Sequence, residues 1–128
     1  MFLKLFVNKR YTNEESLKWT IKHQFDANVK TLKQLHKLGI THDSRLKLQF
    51  FYCTNRLSKA KNISRALEQM DYLVESIDRA SKERIWIVSG WTNKIKMDPG
   101  SVTNWTKLMI HLGYEYDCEF DGWGTYAY

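Results

Sequence analysis

Apolar residues recur every three or four positions from Leu17 to Leu38: Leu17, Ile21, Phe25, Val29, Leu32, Leu35 and Leu38. That spacing lays one apolar stripe along a helix. Thr12 is the expected N-cap, and Glu14 and Glu15 fall in the first turn, where the helix dipole favours acids. Gly39 closes the helix, because only glycine takes the left-handed conformation cheaply. The pattern predicts one long amphipathic helix over 13–38, within a segment 12–39. Lys18, Lys22, Lys30, Lys33 and Lys37 fall on its wetter sides. Residues 1–11 form a short amphipathic arm ahead of it, readable as an added strand, a packed arm or a frayed end.

The period changes from Arg45 onward. Leu46, Leu48, Phe50 and Tyr52 alternate with Lys47, Gln49, Phe51 and Cys53, which predicts a strand over 45–54 with two distinct faces. Ser58 is the expected cap of a second helix carrying Ile63, Ala66, Leu67 and Met70. Tyr72–Asp78 and Glu83–Trp91 read as strands joined by a hairpin loop around Arg79-Ala80-Ser81-Lys82. Asp98-Pro99 starts a third helix, buried through Val102, Trp105, Leu108, Met109 and Leu112 and ended by Gly113. Tyr114–Asp121 is the expected last strand, with Glu115, Asp117, Glu119 and Asp121 all on one face.

From residue 45 the order is β-α-β-β-α-β. The fold class is α+β: a ferredoxin-like antiparallel sheet over 45–125, expected in the strand order 4-1-3-2, with a long N-terminal helix added. A chain of 128 residues is one domain by size, and 43% hydrophobic content is enough for a core. Cys118 falls with Tyr116 and Phe120 on the inward face and Cys53 on the opposite one, so no disulfide is expected.

Charge changes the picture along the chain. Residues 1–64 hold 13 Lys/Arg and 4 Asp/Glu, whereas residues 65–128 hold 7 and 10, so a basic half precedes an acidic one. Two electrostatically different faces follow. A basic face suits nucleic acid, an acidic protein or an anionic surface; lysines alone are more often a solvated helix face. No run of about 18 apolar residues occurs, so no membrane span is expected. The first residues lack the pattern of a signal peptide, which makes a cytoplasmic location the default. His23, His36, His42 and His111 show no ligand spacing, and no nucleophile–base grouping, CxxC pair or Gly-rich phosphate loop is present. No metal, no cofactor and no enzymatic activity are expected.

Three segments carry a resemblance. They are Leu38–Tyr52, where the long helix ends in Leu-Gly and leads into an aromatic strand; Val88-Ser89-Gly90-Trp91-Thr92 with Met97-Asp98; and Leu112-Gly113-Tyr114 through Gly122-Trp123-Gly124-Thr125. Over roughly residues 28–125 the sequence resembles the regulators of ribonuclease E activity B. The Gly-Trp-Gly-Thr ending is its most specific part. The resemblance implies a small, non-enzymatic, bacterial cytoplasmic protein that binds an RNA-processing endonuclease and restrains RNA cleavage. The family's namesake is strongly acidic with an acidic tail; this chain departs from it with a net charge of +6.

The candidate protein-binding residues are Trp91, Asp117, Glu119, Asp121 and Trp123, read as an acidic stripe and two tryptophan turns. Each also has an architectural reading. Outward charges protect an edge strand from aggregation, and a Trp beside Gly covers a close backbone approach. The alternative is RNA binding through the basic helix, with Lys18, Lys22, Lys30, Lys33, Lys37 and Arg45. Phe51 and Trp86 join that alternative as stacking aromatics expected on the sheet face away from the helices. A third reading is an immunity or antitoxin-type inhibitor, which also acts by stoichiometric protein binding.

Overall fold

Asn13, one residue later than expected, opens the first described helix, α1 (Glu14–Lys37). Its side chain accepts from the Ser16 amide while its own amide donates to Ser16 Oγ, each at 2.9 Å, which closes a capping box. A computed structural model describes residues 10–80 and 84–126. Most of the arm, the Ser81-Lys82 loop and Glu83 lie outside the described residues. After α1 come β1 (Arg45–Thr54), α2 (Leu57–Gln69), β2 (Leu73–Arg79), β3 (Trp86–Lys96), α3 (Pro99–Glu115) and β4 (Glu119–Gly124). The protein is α+β, with a four-stranded antiparallel sheet and a long N-terminal helix.

Two helix starts show how caps are chosen. Asp98 caps α3 as expected, accepting from the amide and hydroxyl of Ser101 with Pro99 behind it. At α2 the N-cap is Arg56, which makes no side-chain cap bond, so Ser58 lies inside the helix and does not cap it.

The three described helices end alike. Ile40, Tyr72 and Cys118 each send their amide back to the carbonyl five residues earlier, on Leu35, Leu67 and Gly113. The residue before each takes a left-handed conformation: Gly39 at φ 95°, Asp71 at 62° and Asp117 at 58°. This is the Schellman closure, in which glycine is usual and a short polar side chain is tolerated. It corrects the expected end of α3. Gly113 does not stop the helix, which continues to Glu115. Gly113 is required by packing instead, since a Cβ there would meet the Cys118 carbonyl oxygen at 2.6 Å and Tyr52 Cε1 at 2.8 Å.

The strand order is β2-β3-β1-β4, which reads 4-1-3-2 from the β4 edge. β3 runs five residues past its expected end at Trp91, because Lys94–Lys96 pair with Arg45–Lys47. Thr92 sits buried beside the register shift in β1, and its hydroxyl accepts from the Leu48 amide at 2.9 Å. Gly90 lies against β2 so closely that a Cβ would fall 2.0 Å from the Leu73 carbonyl oxygen.

Leu48, Phe50, Tyr52, Val88 and Phe120 form the buried face of the sheet. α2 meets it with Ala60, Ile63 and Leu67, and α3 with Val102, Trp105, Met109 and Ile110. α1 packs on α3 and β4 through Leu17, Ile21, Phe25, Leu32 and Leu35. Two members of its predicted stripe stay outside: Val29 is 55% and Leu38 65% exposed. Polar residues take part of that inner face, with Thr20 and Asn28 buried. Asn28 is held on both sides. Trp123 Nε1 donates to its Oδ1 at 2.8 Å, and its Nδ2 donates to Thr106 Oγ1 at 2.9 Å. These bonds fasten α1 to β4 and α3 at once, and satisfy polar groups that would otherwise be costly inside.

Candidate functional site

The expected four-carboxylate stripe does not form. β4 begins only at Glu119, so Glu115 ends α3 and Asp117 occupies the turn between them. A single strand period cannot carry all four, because the helix continues past Gly113 and the chain reverses at Asp117. Only Glu119 and Asp121 lie on the strand.

Asp117 is 7% exposed. Its carboxylate accepts from the Tyr11 and Thr12 amides and from the Thr12 hydroxyl, all at 2.8 Å, and from Lys59 Nζ at 2.5 Å. Arg10 adds an ion pair at 3.5 Å and stands over the Tyr114 ring. The Asp117 carbonyl accepts from the Thr54 hydroxyl. Burial by itself raises the proton affinity of the carboxyl, but Lys59 and the two amides outweigh it and hold the group down to about 2. The carboxylate therefore ties the start of α1 to the end of α3 and to α2, and is not presented to a partner. This also explains why Thr12 does not cap α1: its hydroxyl is committed to Asp117.

Glu119 and Asp121 behave in the opposite way. Burial raises both pKa values, and the charge of Asp121 adds to the rise at Glu119. Neither forms a hydrogen bond or ion pair among the described residues. β4 is an edge strand, and its pairing with β1 shifts register between Phe51 and Tyr52, which leaves Asp121 as the extra residue between Phe120 and Gly122. Gly122 takes a φ of 125° there.

The two tryptophans divide. Trp123 pairs with Phe50 on the buried face, sets its ring edge-on to Trp105 and bonds Asn28, so its turn is architectural. Trp91 pairs with Gln49 on the opposite face, stacks on Tyr126 at 5.6 Å and donates to Glu75 at 2.8 Å. Phe51 shares this outer face, paired with Ser89 and Gly122. Trp86 does not. It pairs with Thr54 on the inner face, packs against the core and lies under Arg79, so the expected Phe51–Trp86 stacking pair is not formed. The error was one of register. β3 pairs with β1 so that Trp86 meets buried Thr54, which a sequence reading of β3 alone does not reveal. Along the pairings, Asp78, Ile87, Cys53 and Glu119 make one row across the outer face. Ser76, Ser89, Phe51 and Gly122 make the next. The outer face thus has an apolar middle in Phe51, Ile87 and Trp91, with Glu75, Asp78, Glu119 and Asp121 around it.

Lys18, Lys22, Lys30, Lys33 and Lys37 are all exposed on α1, and Arg45 is exposed at the start of β1. Cys53 and Cys118 are not joined in a disulfide. Cys118 is buried, and burial pushes its thiol up to about 12, which keeps it protonated and unreactive. Among the described residues no group of three His, Cys, Asp or Glu is placed to hold a metal ion. No described helix is long and apolar enough to cross a membrane.

A family model described as Regulator of ribonuclease activity B matches residues 25–125. The chain belongs to this family. The match takes in α1 from Phe25 onward and every described strand, including the β4 carboxylates and both tryptophan turns. Members of the family are regulators of ribonuclease activity. A comparison with curated proteins gave no match.

Lys59, Asn28 and Glu75 complete these arrangements, and no sequence pattern marks them. Each lies far in sequence from the group it serves, so no local spacing marks it.

Proposed function

We propose that this protein regulates an RNA-processing endonuclease, such as ribonuclease E, by stoichiometric binding in the bacterial cytoplasm and without chemistry of its own. The binding surface is the β4 edge together with the adjoining outer sheet face. Glu119 and Asp121 take lysine or arginine side chains of the nuclease, and Trp91 with Phe51 supplies apolar contact. The observation that carries this reading is the state of the two carboxylates. Glu119 is partly buried and feels the charge of Asp121, which is exposed beside it, and neither has a cation among the described residues. A basic group from outside relieves that cost directly, whereas the same surface repels phosphate. The β-α-β-β-α-β order with β3 and β1 central supports reading the sheet as ferredoxin-like.

The test is Glu119→Lys combined with Asp121→Lys. Both sites tolerate charge change without loss of a bond, so the circular dichroism spectrum and melting should be near those of the parent. Nuclease binding should fall by about tenfold or more. Full binding by the folded variant would remove the β4 edge from the interface.

RNA binding along α1 is a second reading, and the exposure of all five lysines favours it. It requires affinity that falls steeply with salt. Affinity independent of salt removes it.

A further inference from the structure

The C-terminal half of α1 and the start of α3 do not close on each other. Between them lies a groove of about 650 Å³, within the usual size of a ligand-binding cleft. Its floor is apolar, made by Phe25, Val29 and Leu32, and Pro99 with Thr103 forms the far wall. Its rim is cationic, with Lys33 and Lys37 on α1 and His36 and His42 beside them. No carboxylate lines it. Val29 belongs to the apolar stripe of α1 yet is 55% exposed, because the groove leaves it uncovered. A solvent-facing Val beside Lys33 and Lys37 serves neither the core nor solubility.

We propose that this groove docks an acidic amphipathic peptide segment of a protein partner, with its apolar side chains on Phe25, Val29 and Leu32 and its carboxylates on Lys33 and Lys37. Charge complementarity selects that occupant. A second copy using the same surface would set Lys33 and Lys37 against their own counterparts. Single-stranded RNA would find Phe25 among Val29, Leu32 and Asn28, with the two histidines only at the rim and no Trp or Tyr in the lining, a sparse stacking platform. The site is separate from the β4 edge and opposite in charge, so it stands or falls independently of the function proposed above. It gives the molecule one surface for a basic segment and another for an acidic one.

The probe is a fluorescein-labelled peptide of about 16 residues with leucines at helical spacing and glutamates between them. The same peptide with lysines for glutamates, and a single-stranded RNA oligonucleotide, serve as competitors. Anisotropy measures affinity, and amide chemical shifts locate binding on the full chain. The glutamate peptide should bind and shift amides of α1 from Phe25 to Lys37, together with His42 and Thr103. Val29→Glu, and separately Lys33→Glu with Lys37→Glu, should each weaken it about tenfold. Circular dichroism checks that these exposed helix positions still fold, and Glu119→Gln should leave peptide affinity unchanged. The proposal is overturned if the two peptides bind alike, if Val29→Glu has no effect, or if millimolar peptide moves no groove amide. It is also overturned if RNA, and not the peptide, is the species lost on Lys33→Glu with Lys37→Glu.

Discussion

Asp117 shows how one residue can be misread when its neighbours set its role. In sequence it continues an alternation of acids and apolar residues. In the fold it is the left-handed residue after α3, and its carboxylate gathers two amides, a hydroxyl and two cations. Asn at this position keeps the shape but loses the charge and turns a donor toward donors. Asp117→Asn should therefore cost about 2–4 kcal/mol in urea unfolding, because Lys59 is left partly buried without its counterion. A cost near zero would show that the clamp is ornamental. The folded carboxyl, held at about 2, lies below its ordinary 3.8. Its stabilisation is complete above the ordinary value and is lost as pH falls toward the folded one, amounting to roughly 2 kcal/mol. The parent should lose that stability between about pH 4 and 2, and Asp117→Asn should lack this component. Glu119 has the reverse sign. Its raised pKa means the folded state is penalised once the group is ionised, and the penalty fades as pH falls through the raised value. Glu119→Gln should melt at or above the parent temperature at neutral pH, with the advantage shrinking in acid. A clear drop in melting temperature at neutral pH would mean that Glu119 has a stabilising cation after all.

At the scale of elements, strong periodicity was readable and terminations were not. β1 has its expected bounds because alternation and aromatic content agree over ten residues. α1 departs by a residue at each end. The end of α3 was misplaced because Gly113 looks like a stop, while the true closure uses Asp117. Glycine has two uses here, and they separate under mutation. Gly39 supplies a positive φ with open space around it, whereas Gly90 and Gly113 have no room for a methyl group. Gly90→Ala and Gly113→Ala should each destabilise by about 1–3 kcal/mol or more, from overpacking against backbone. Measured by thermal melting, a neutral Gly113→Ala would contradict the close approach of α3 to Tyr52. The polar link Trp123–Asn28–Thr106 belongs to this scale too. It was invisible in sequence because its members are 78 and 95 residues apart. Asn28→Leu should cost about 1–3 kcal/mol by stranding the Trp123 indole N–H, while the Thr106 hydroxyl keeps its bond to the Val102 carbonyl, and amide exchange of α1 should rise more than that of the sheet.

For the whole molecule, the charge asymmetry in the sequence maps onto separate surfaces. The lysines of α1 line one side, and the outer sheet face with the β4 edge carries acids, of which Glu119 and Asp121 have no hydrogen bond or ion pair among the described residues. The sequence was enough for the α+β class with its antiparallel sheet and long N-terminal helix, for the strand order and for the family. It was not enough for the interface, because face assignment depends on register between strands distant in the chain. Trp86 lies partly buried against the core for that reason, and Phe51 faces outward. The proposed site is smaller than the expected stripe: Glu119 and Asp121 on the edge strand, Phe51 on the neighbouring β1 and Trp91 one strand further on β3. In the function we propose, these carboxylates hold a ribonuclease through protein contact. Affinity capture from host lysate tests it most directly, using the parent and the Glu119→Lys, Asp121→Lys variant, each with and without RNase treatment. An endoribonuclease should be recovered in stoichiometric amount with the parent, resistant to RNase and lost with the variant. Capture of RNA alone, or of a nuclease that disappears on RNase treatment, would contradict it.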